Sequence, residues 1–383
     1  MKTVFRSLLL KILKKMLILF LSCLAVFLII FIVLLFNSSG KVIPFTDNDG
    51  NQITASISEK ISVNINGKKQ GMFIKSKDKN NPVLLFVHGG PGMPEYAISR
   101  EYPLVLENLF TVCWWEQRGT GMSYSSDLKP EELSFEKLID DIIEVSNYLR
   151  KRFGQEKIYL MAHSGGTFIG MQAAAKAPEL FKAYIAVAQI SNQLESEKLA
   201  YNYMLEQFTL SDNKKMLKKL KRYSVNQINT PSYYAMRDAP MHKLGIGTTH
   251  KMKSVFNGIF MPVMLNKEYT LKEKINIWRG KYFTTHKAGL WNKLVNTDLT
   301  KLVKKLDIPV YFIHGKYDYT VSYSLAKSYF EKLEATEKAF YAFENSAHSP
   351  LFEEPQKMQK TLLEIIKKSE LNADSLKANK IIN

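Results

Sequence analysis

Lys157-Ile-Tyr-Leu-Met-Ala-His-Ser164-Gly165-Gly166-Thr167 decides the reading of this chain. A short apolar run of strand type stops at a serine among small residues, and Thr167-Phe-Ile-Gly-Met-Gln-Ala-Ala-Ala-Lys-Ala177 then reads as a helix. A tight strand-to-helix turn of this kind lifts one hydroxyl clear of a sheet, and small neighbours let the helix pack close to adjacent strands. Gly166 holds the second glycine of the G-x-S-x-G pattern, while Ala162 replaces the first. A serine capping an ordinary helix would look similar in isolation, so partners must be sought elsewhere.

A serine hydroxyl needs a histidine to take its proton and a carboxylate to orient that histidine. Seven histidines are present, and position selects among them. Val310-Tyr-Phe-Ile-His-Gly315 reads as a buried strand with Asp318 just beyond it; Ala339-Phe-Tyr-Ala-Phe343 reads as the next, followed by His348. Both residues fall past the C-terminal ends of their strands, where open α/β sheets place their sites. Asp307 is the rival acid but precedes its strand, and His163 and His314 read as packing or supporting residues. Pro82-Val-Leu-Leu-Phe-Val-His88 is a strand running into Gly89-Gly90-Pro91-Gly92. Backbone amides near Gly90 and at Gly165 are therefore the expected donors to a developing oxyanion.

His88-Gly-Gly-Pro-Gly92, Trp114-Trp-Glu-Gln-Arg-Gly-Thr-Gly-Met-Ser123, the Ser164 turn, Asp318 and His348-Ser-Pro-Leu-Phe-Glu-Glu-Pro355 together resemble the prolyl aminopeptidase (proline iminopeptidase) family of α/β-hydrolases. The likeness covers most of residues 80–190 and 305–365. It implies an α/β-hydrolase fold, the order Ser164, Asp318, His348 for a triad, and serine hydrolysis without metal or cofactor, often of an N-terminal residue from a short peptide. Two departures bear on specificity. Glu116 stands where the family usually has Asp, and Ala-His-Ser-Gly-Gly replaces the usual Gly-Gly-Ser-Trp-Gly. Ester hydrolysis is the alternative activity, and a surface binding protein that kept the fold without the chemistry is the alternative class.

From Pro82 onward strands alternate with helical patterns, the signature of a mostly parallel sheet covered on both faces. The expected core is residues 51–190 and 301–369. Ile61-Ser-Val-Asn-Ile65, Asn66-Gly67 and Gly71-Met-Phe-Ile-Lys75 read as a β-hairpin. Residues 191–300 read as a helical cap, which would select the substrate. The resemblance implies that cap glutamates bind a substrate amine; Glu195, Glu197 and Glu206 are the candidates, or else solvated helix faces. Tyr233, Tyr234, Met236 and Trp278 either line a pocket or form cap core. The basic stretch Lys214 to Arg222 reads as a solvated helix face, with contact to an anionic membrane as the alternative.

Residues 16–36 are uncharged and almost wholly apolar, about twenty positions and enough to cross a bilayer. Residues 1–15 carry Lys2, Arg6, Lys11, Lys14 and Lys15 without an acid, which predicts a cytoplasmic N-terminus and an outward-facing domain. A cleaved signal peptide is the rival, with a shorter apolar core and a small-residue cleavage site. Residues 37–50 read as a polar spacer and 370–383 as a frayed polar tail. Net charge is +17, or +12 without the five basic residues ahead of the apolar run, which favours anionic surroundings such as lipid headgroups or wall polymers; the scattered lysines carry no nucleic-acid recognition motif. Cys23 and Cys113, one in the apolar run and one in a strand, offer neither a disulfide framework nor a cysteine zinc site. Gly245-Ile-Gly-Thr-Thr-His250 and Gly119-Thr-Gly-Met-Ser123 fail as nucleotide motifs, and His348 with Glu353 and Glu354 lacks a second histidine at metal-ligand spacing.

Overall fold

Eight strands form one sheet in the computed structural model, which describes residues 2–228 and 230–382. The strands are β1 Ile57–Ile65, β2 Lys68–Ser76, β3 Val83–Val87, β4 Thr111–Trp115, β5 Ile158–His163, β6 Phe181–Val187, β7 Val310–Gly315 and β8 Lys338–Phe343. Their order is β1-β2-β4-β3-β5-β6-β7-β8. Only the hairpin end is antiparallel: β1 pairs with β2 and β2 with β4, while β4 through β8 run parallel. Asn66 and Gly67 turn the hairpin with φ of 47° and 75°, the positive values that a two-residue turn between twisted strands requires.

Side chains alternate across the sheet, so each strand feeds two cores. Val83, Leu85, Val87, Leu160 and Ala162 enter one; Leu84, Phe86, Tyr159 and Met161 enter the other. Helix α2, Phe135–Phe153, covers the first face with Leu138, Ile142, Val145 and Leu149. Ser134 caps its start by accepting from the Lys137 amide, and Gly154, at φ 62°, ends it in the left-handed conformation glycine favours. Helix α3, Gly165–Lys176, lies beside it. Met358, Leu362 and Ile365 of the last helix, Pro355–Ile382, close the second face. Burying each such aliphatic side chain is worth about 1.5–3 kcal/mol.

Between β6 and β7 the chain leaves the sheet and forms helices: α4 Gln193–Leu210, α5 Lys214–Leu220, α6 Pro231–Leu244 and α7 Leu271–Tyr282. Helices α4 to α6 carry a core of their own, with Tyr201, Met204, Phe208, Tyr233 and Met241, whereas Ile277 of α7 joins the second sheet face. Tyr233 is buried in that core, and Tyr234 and Met236 pack against it; Trp278 packs instead on the second sheet face. Of the four, Tyr233 is core and the other three are half-buried against cores.

At the N-terminus, α1 is one continuous helix, Lys2–Phe36, so the basic segment and the apolar run share one element. It is long and apolar enough to cross a bilayer, a description that an N-terminal signal sequence also meets. The stretch read as a polar spacer is docked on the domain. Gly40 donates to the Lys267 carbonyl, Ile43 to Glu268, and Phe45 is buried. Buried Lys75 donates to the Ile43 carbonyl, and Lys274 to the Asn37 and Met264 carbonyls and to Ser38 Oγ. Lysines from distant elements fix the spacer, which composition alone does not reveal. The stretch read as a frayed tail is helical through Ile382; Met1 and Asn383 lie outside the described residues.

Candidate active site

Four strand ends meet at the C-terminal edge of the sheet. β5 ends at His163, and Ser164 follows with φ 53° and ψ −127°, a strained conformation that costs about 1–3 kcal/mol and turns the hydroxyl away from the sheet. Helix α3 can begin at once only because position 166 lacks a side chain: a Cβ there would lie 2.3 Å from the Val87 carbonyl oxygen. Ala162 is tolerated for a similar reason. Its methyl faces Gly170, where a Cβ would approach to 2.9 Å.

Ser164 Oγ–H donates to His348 Nε2 at 2.8 Å, and His348 Nδ1–H donates to Asp318 Oδ2 at 2.9 Å. Ser164 is half-buried, whereas His348 and Asp318 are buried. Asp318 Oδ1 also accepts from the Val321 amide at 2.9 Å, and His314 Nε2 lies 3.1 Å from Oδ2. Burial opposes ionisation of Asp318, but the charge on His348 and the bonds from both histidines outweigh it and hold the carboxyl far below its usual range. Burial is also the largest influence on His348 and, against the pull of Asp318, leaves its pKa below the ordinary value. The imidazole is thus ready to accept a proton near neutrality.

Glu353 and Glu354 hold the loop that carries His348. Glu353 Oε1 accepts from the Ala347 amide at 2.9 Å, and Glu354 Oε2 from Ser346 Oγ at 2.7 Å. Burial raises the Glu353 pKa to about 7. Among the described residues no three His, Cys, Asp or Glu side chains converge as a metal site would require.

Gly165 is the first residue of α3, so its N–H has no partner within the helix. A Cβ on Gly165 would come within 3.1 Å of Gly90 N, so the two glycine backbones lie side by side. The Gly90 loop is fixed from two directions. Gln117 Nε2 donates to the His88 carbonyl at 2.7 Å, and Glu95 Oε1 accepts from the Gly89 amide at 2.8 Å. Burial pushes His88 down to about 4, so it stays neutral; its Nε2 accepts from the Gln117 amide.

Glu95 is the residue that sequence reasoning missed. Its other oxygen takes a bond from His163 Nδ1 at 2.7 Å, and His163 Nε2 donates to the His348 carbonyl at 3.0 Å. An acid eight residues after the end of a buried strand, within Pro91-Gly-Met-Pro-Glu-Tyr96, was the available signal. His163 and His314 both touch the constellation as supports. The neighbouring Glu116-Gln-Arg118 segment is a frame. Glu116 accepts from Tyr269 and from the Met122 amide, and burial lifts its pKa to about 7. Arg118 forms a two-bond pair with Asp141 at 2.8 and 2.7 Å.

The cap glutamates have separate fates, and none bonds to Ser164, His348 or Asp318 among the described residues. Glu195 pairs with Lys198 at 2.7 Å. Glu197 is buried, with both oxygens on Arg237 Nη1 at 2.7 and 2.9 Å. Glu206 is exposed and forms no ion pair among the described residues. It lies near Tyr203, which stacks at 4.2 Å on Tyr319, the residue after Asp318. A cleft of about 750 Å³ between the hairpin and residues 122–128 is lined by Lys60, Lys68, Lys69 and Arg118 and by no member of the constellation.

The alpha/beta hydrolase fold family matches residues 82–355. The chain is 32% identical over 307 residues to a probable aminopeptidase, YbaC, of Bacillus subtilis, across 78% of this chain and 93% of that relative. It is 26% identical to a proline iminopeptidase of Saccharolobus solfataricus, across 76% and 86% respectively. The crystal structure of a proline iminopeptidase from Mycobacterium smegmatis superposes with a TM-score of 0.61 at 15% identity, across 82% of this chain and all of the other. By sequence, this chain belongs to the alpha/beta hydrolase fold family and is a hydrolase.

Proposed function

We propose that this hydrolase works through Ser164 as nucleophile, His348 as general base and Asp318 as the carboxylate that orients the imidazole. One observation carries the reading: a single imidazole bonded through one nitrogen to Ser164 Oγ and through the other to Asp318. Oγ bonds to the carbonyl carbon as Nε2 takes its proton, and the oxyanion lies within reach of the Gly90 and Gly165 amides. Collapse breaks the carbon–nitrogen bond, and the departing amine receives the proton from Nε2. Water, deprotonated by the same nitrogen, then bonds to the acyl carbon, and the bond to Oγ breaks as Oγ takes the proton back from Nε2.

The preferred reaction is aminopeptidase-type cleavage of small peptides, supported by the names of the relatives. Glu206 is the cap carboxylate left free to meet a substrate amine, since Glu195 and Glu197 are occupied by Lys198 and Arg237. Ester hydrolysis is the second reading, favoured by the apolar segment Phe256–Leu265. Helix α1 anchors the enzyme in a bilayer with its N-terminus inside, a reading supported by the five basic residues ahead of the apolar run. Steady-state assays with proline p-nitroanilide and p-nitrophenyl esters test the substrate. Glu206→Gln should raise KM for the peptide and leave ester KM unchanged; turnover of esters alone rejects peptidase action. Ser164→Ala should lower kcat on the order of a millionfold and abolish fluorophosphonate labelling. Retained labelling would remove Ser164 from its role.

A further inference from the structure

Exposed apolar side chains recur along the segment that holds the foot of α1. Ile43, Phe256, Leu265, Ile275 and Tyr282 face solvent, with Phe260 and Trp278 half-buried among them. Phe256 stacks on Phe260 at 5.2 Å, and Phe260 meets Trp278 at 5.3 Å. Ile275, Trp278 and Tyr282 follow one another at helical spacing along a single face of α7. Exposed apolar side chains that adjoin one another mark a surface with a contact to make.

The end of α1 points to the occupant. Leu34, two residues before the apolar run ends, packs against the cluster that holds Val263 and Met264. Lys274, next to Ile275, binds the Asn37 carbonyl and Ser38 Oγ. The side chains around these contacts therefore sit at the depth where hydrocarbon gives way to headgroups. Charge agrees. Residues 251–287 contain eight lysines and arginines against two glutamates. Both glutamates are engaged, Glu268 with Lys75 and Glu273 with Lys60. Lys251, Lys253, Lys267 and Lys272 remain exposed. Apolar side chains flanked by lysines match the chemistry of an anionic bilayer surface.

We propose that the face formed by residues 256–282 is a lipid-contact surface that seats the domain on the anionic leaflet from which α1 emerges. The proposal rests on the reading of α1 as an anchor and extends it to the substrate, which would be met at the interface. The chain beyond α7 reaches the candidate oxyanion loop, where Thr284 Oγ1 donates to the Pro91 carbonyl at 3.4 Å. A Cβ on Gly92 would collide with the same Thr284.

The test uses the full chain with Cys23→Ser, which leaves buried Cys113 as the native thiol. An environment-sensitive fluorophore is attached at Phe256→Cys, Ile275→Cys, Leu35→Cys or Leu302→Cys. Leu302 is exposed beside Leu299 and Val303, on the opposite sheet face. Each protein is reconstituted in phosphatidylcholine–phosphatidylglycerol vesicles carrying lipids spin-labelled near the headgroup. Quenching at residues 256 and 275 should match that at 35 and exceed that at 302 severalfold. Quenching at 35 with residues 256 and 275 no different from 302 overturns the seating and leaves the anchor standing. Quenching at 256 and 275 without quenching at 35 supports the surface and overturns the anchor. Absence of quenching at all three overturns both.

Discussion

At His163, a buried ring is held between Glu95 and the carbonyl of the residue that would act as base. Burial penalises charge on both partners, yet their mutual attraction and hydrogen bonds prevail, raising the His163 pKa and lowering that of Glu95. The pair therefore places a positive charge beside His348, whose ring centre is 5.0 Å away. That charge adds to burial in lowering the His348 pKa. A general base must be unprotonated, so with His348 in that role activity would rise with pH through its pKa. The acid limb of kcat/KM should accordingly lie below about 6.5, the value of an ordinary histidine. His163→Gln removes the neighbouring charge, raises the His348 pKa and moves the limb to higher pH. It should also lower kcat by up to about a hundredfold, because the loop loses its tether, while KM stays close to its original value. A loss of thermal stability with an unmoved limb would mean that His163 only packs.

Among elements, the turn from β5 into α3 was the most legible, and its local chemistry explains why. A strand period, a serine and two glycines are all adjacent in sequence, so the turn announces itself. The hairpin at Asn66-Gly67 is readable on the same ground. Contacts made across long sequence separations are not. Glu197 meets Arg237 forty residues later, and the spacer is fixed by Lys75 and Lys274. Composition saw a cap glutamate and a polar linker there and could not see what neutralises the one or docks the other. The Ala162–Gly170 exchange was also hidden, because it pairs a strand with the helix it faces. Gly170→Ala gains about 1 kcal/mol in helix propensity. Overpacking against Ala162 costs about 1–3 kcal/mol, so stability should fall. Adding Ala162→Gly should recover at least about 0.5 kcal/mol beyond additivity in a urea-unfolding double-mutant cycle. Simple additivity would show that the two positions do not share space.

On the scale of the whole molecule, Lys274 joins the start of the spacer, just past the end of α1, to the helical segment over the sheet. Burial lowers its pKa to about 8, and the amine offsets that cost by bonding two carbonyls and a hydroxyl. Lys274→Met should leave the Asn37 and Met264 carbonyls unbonded, at about 1–3 kcal/mol for each that stays buried. The spacer should then loosen, and trypsin should cut after exposed Lys41 severalfold faster while hydrolysis continues. An unchanged cleavage rate would show that the spacer is held by other contacts.

A stem fastened so firmly turns rod and head into a single lever. Were α1 to span a bilayer, a thinner hydrocarbon layer would make the rod lean further. The head would lean with it and re-aim the mouth above Ser164, whereas a head on a slack cord would keep no memory of the rod's angle. Bilayer thickness would then act as a control dial on turnover with no ligand involved.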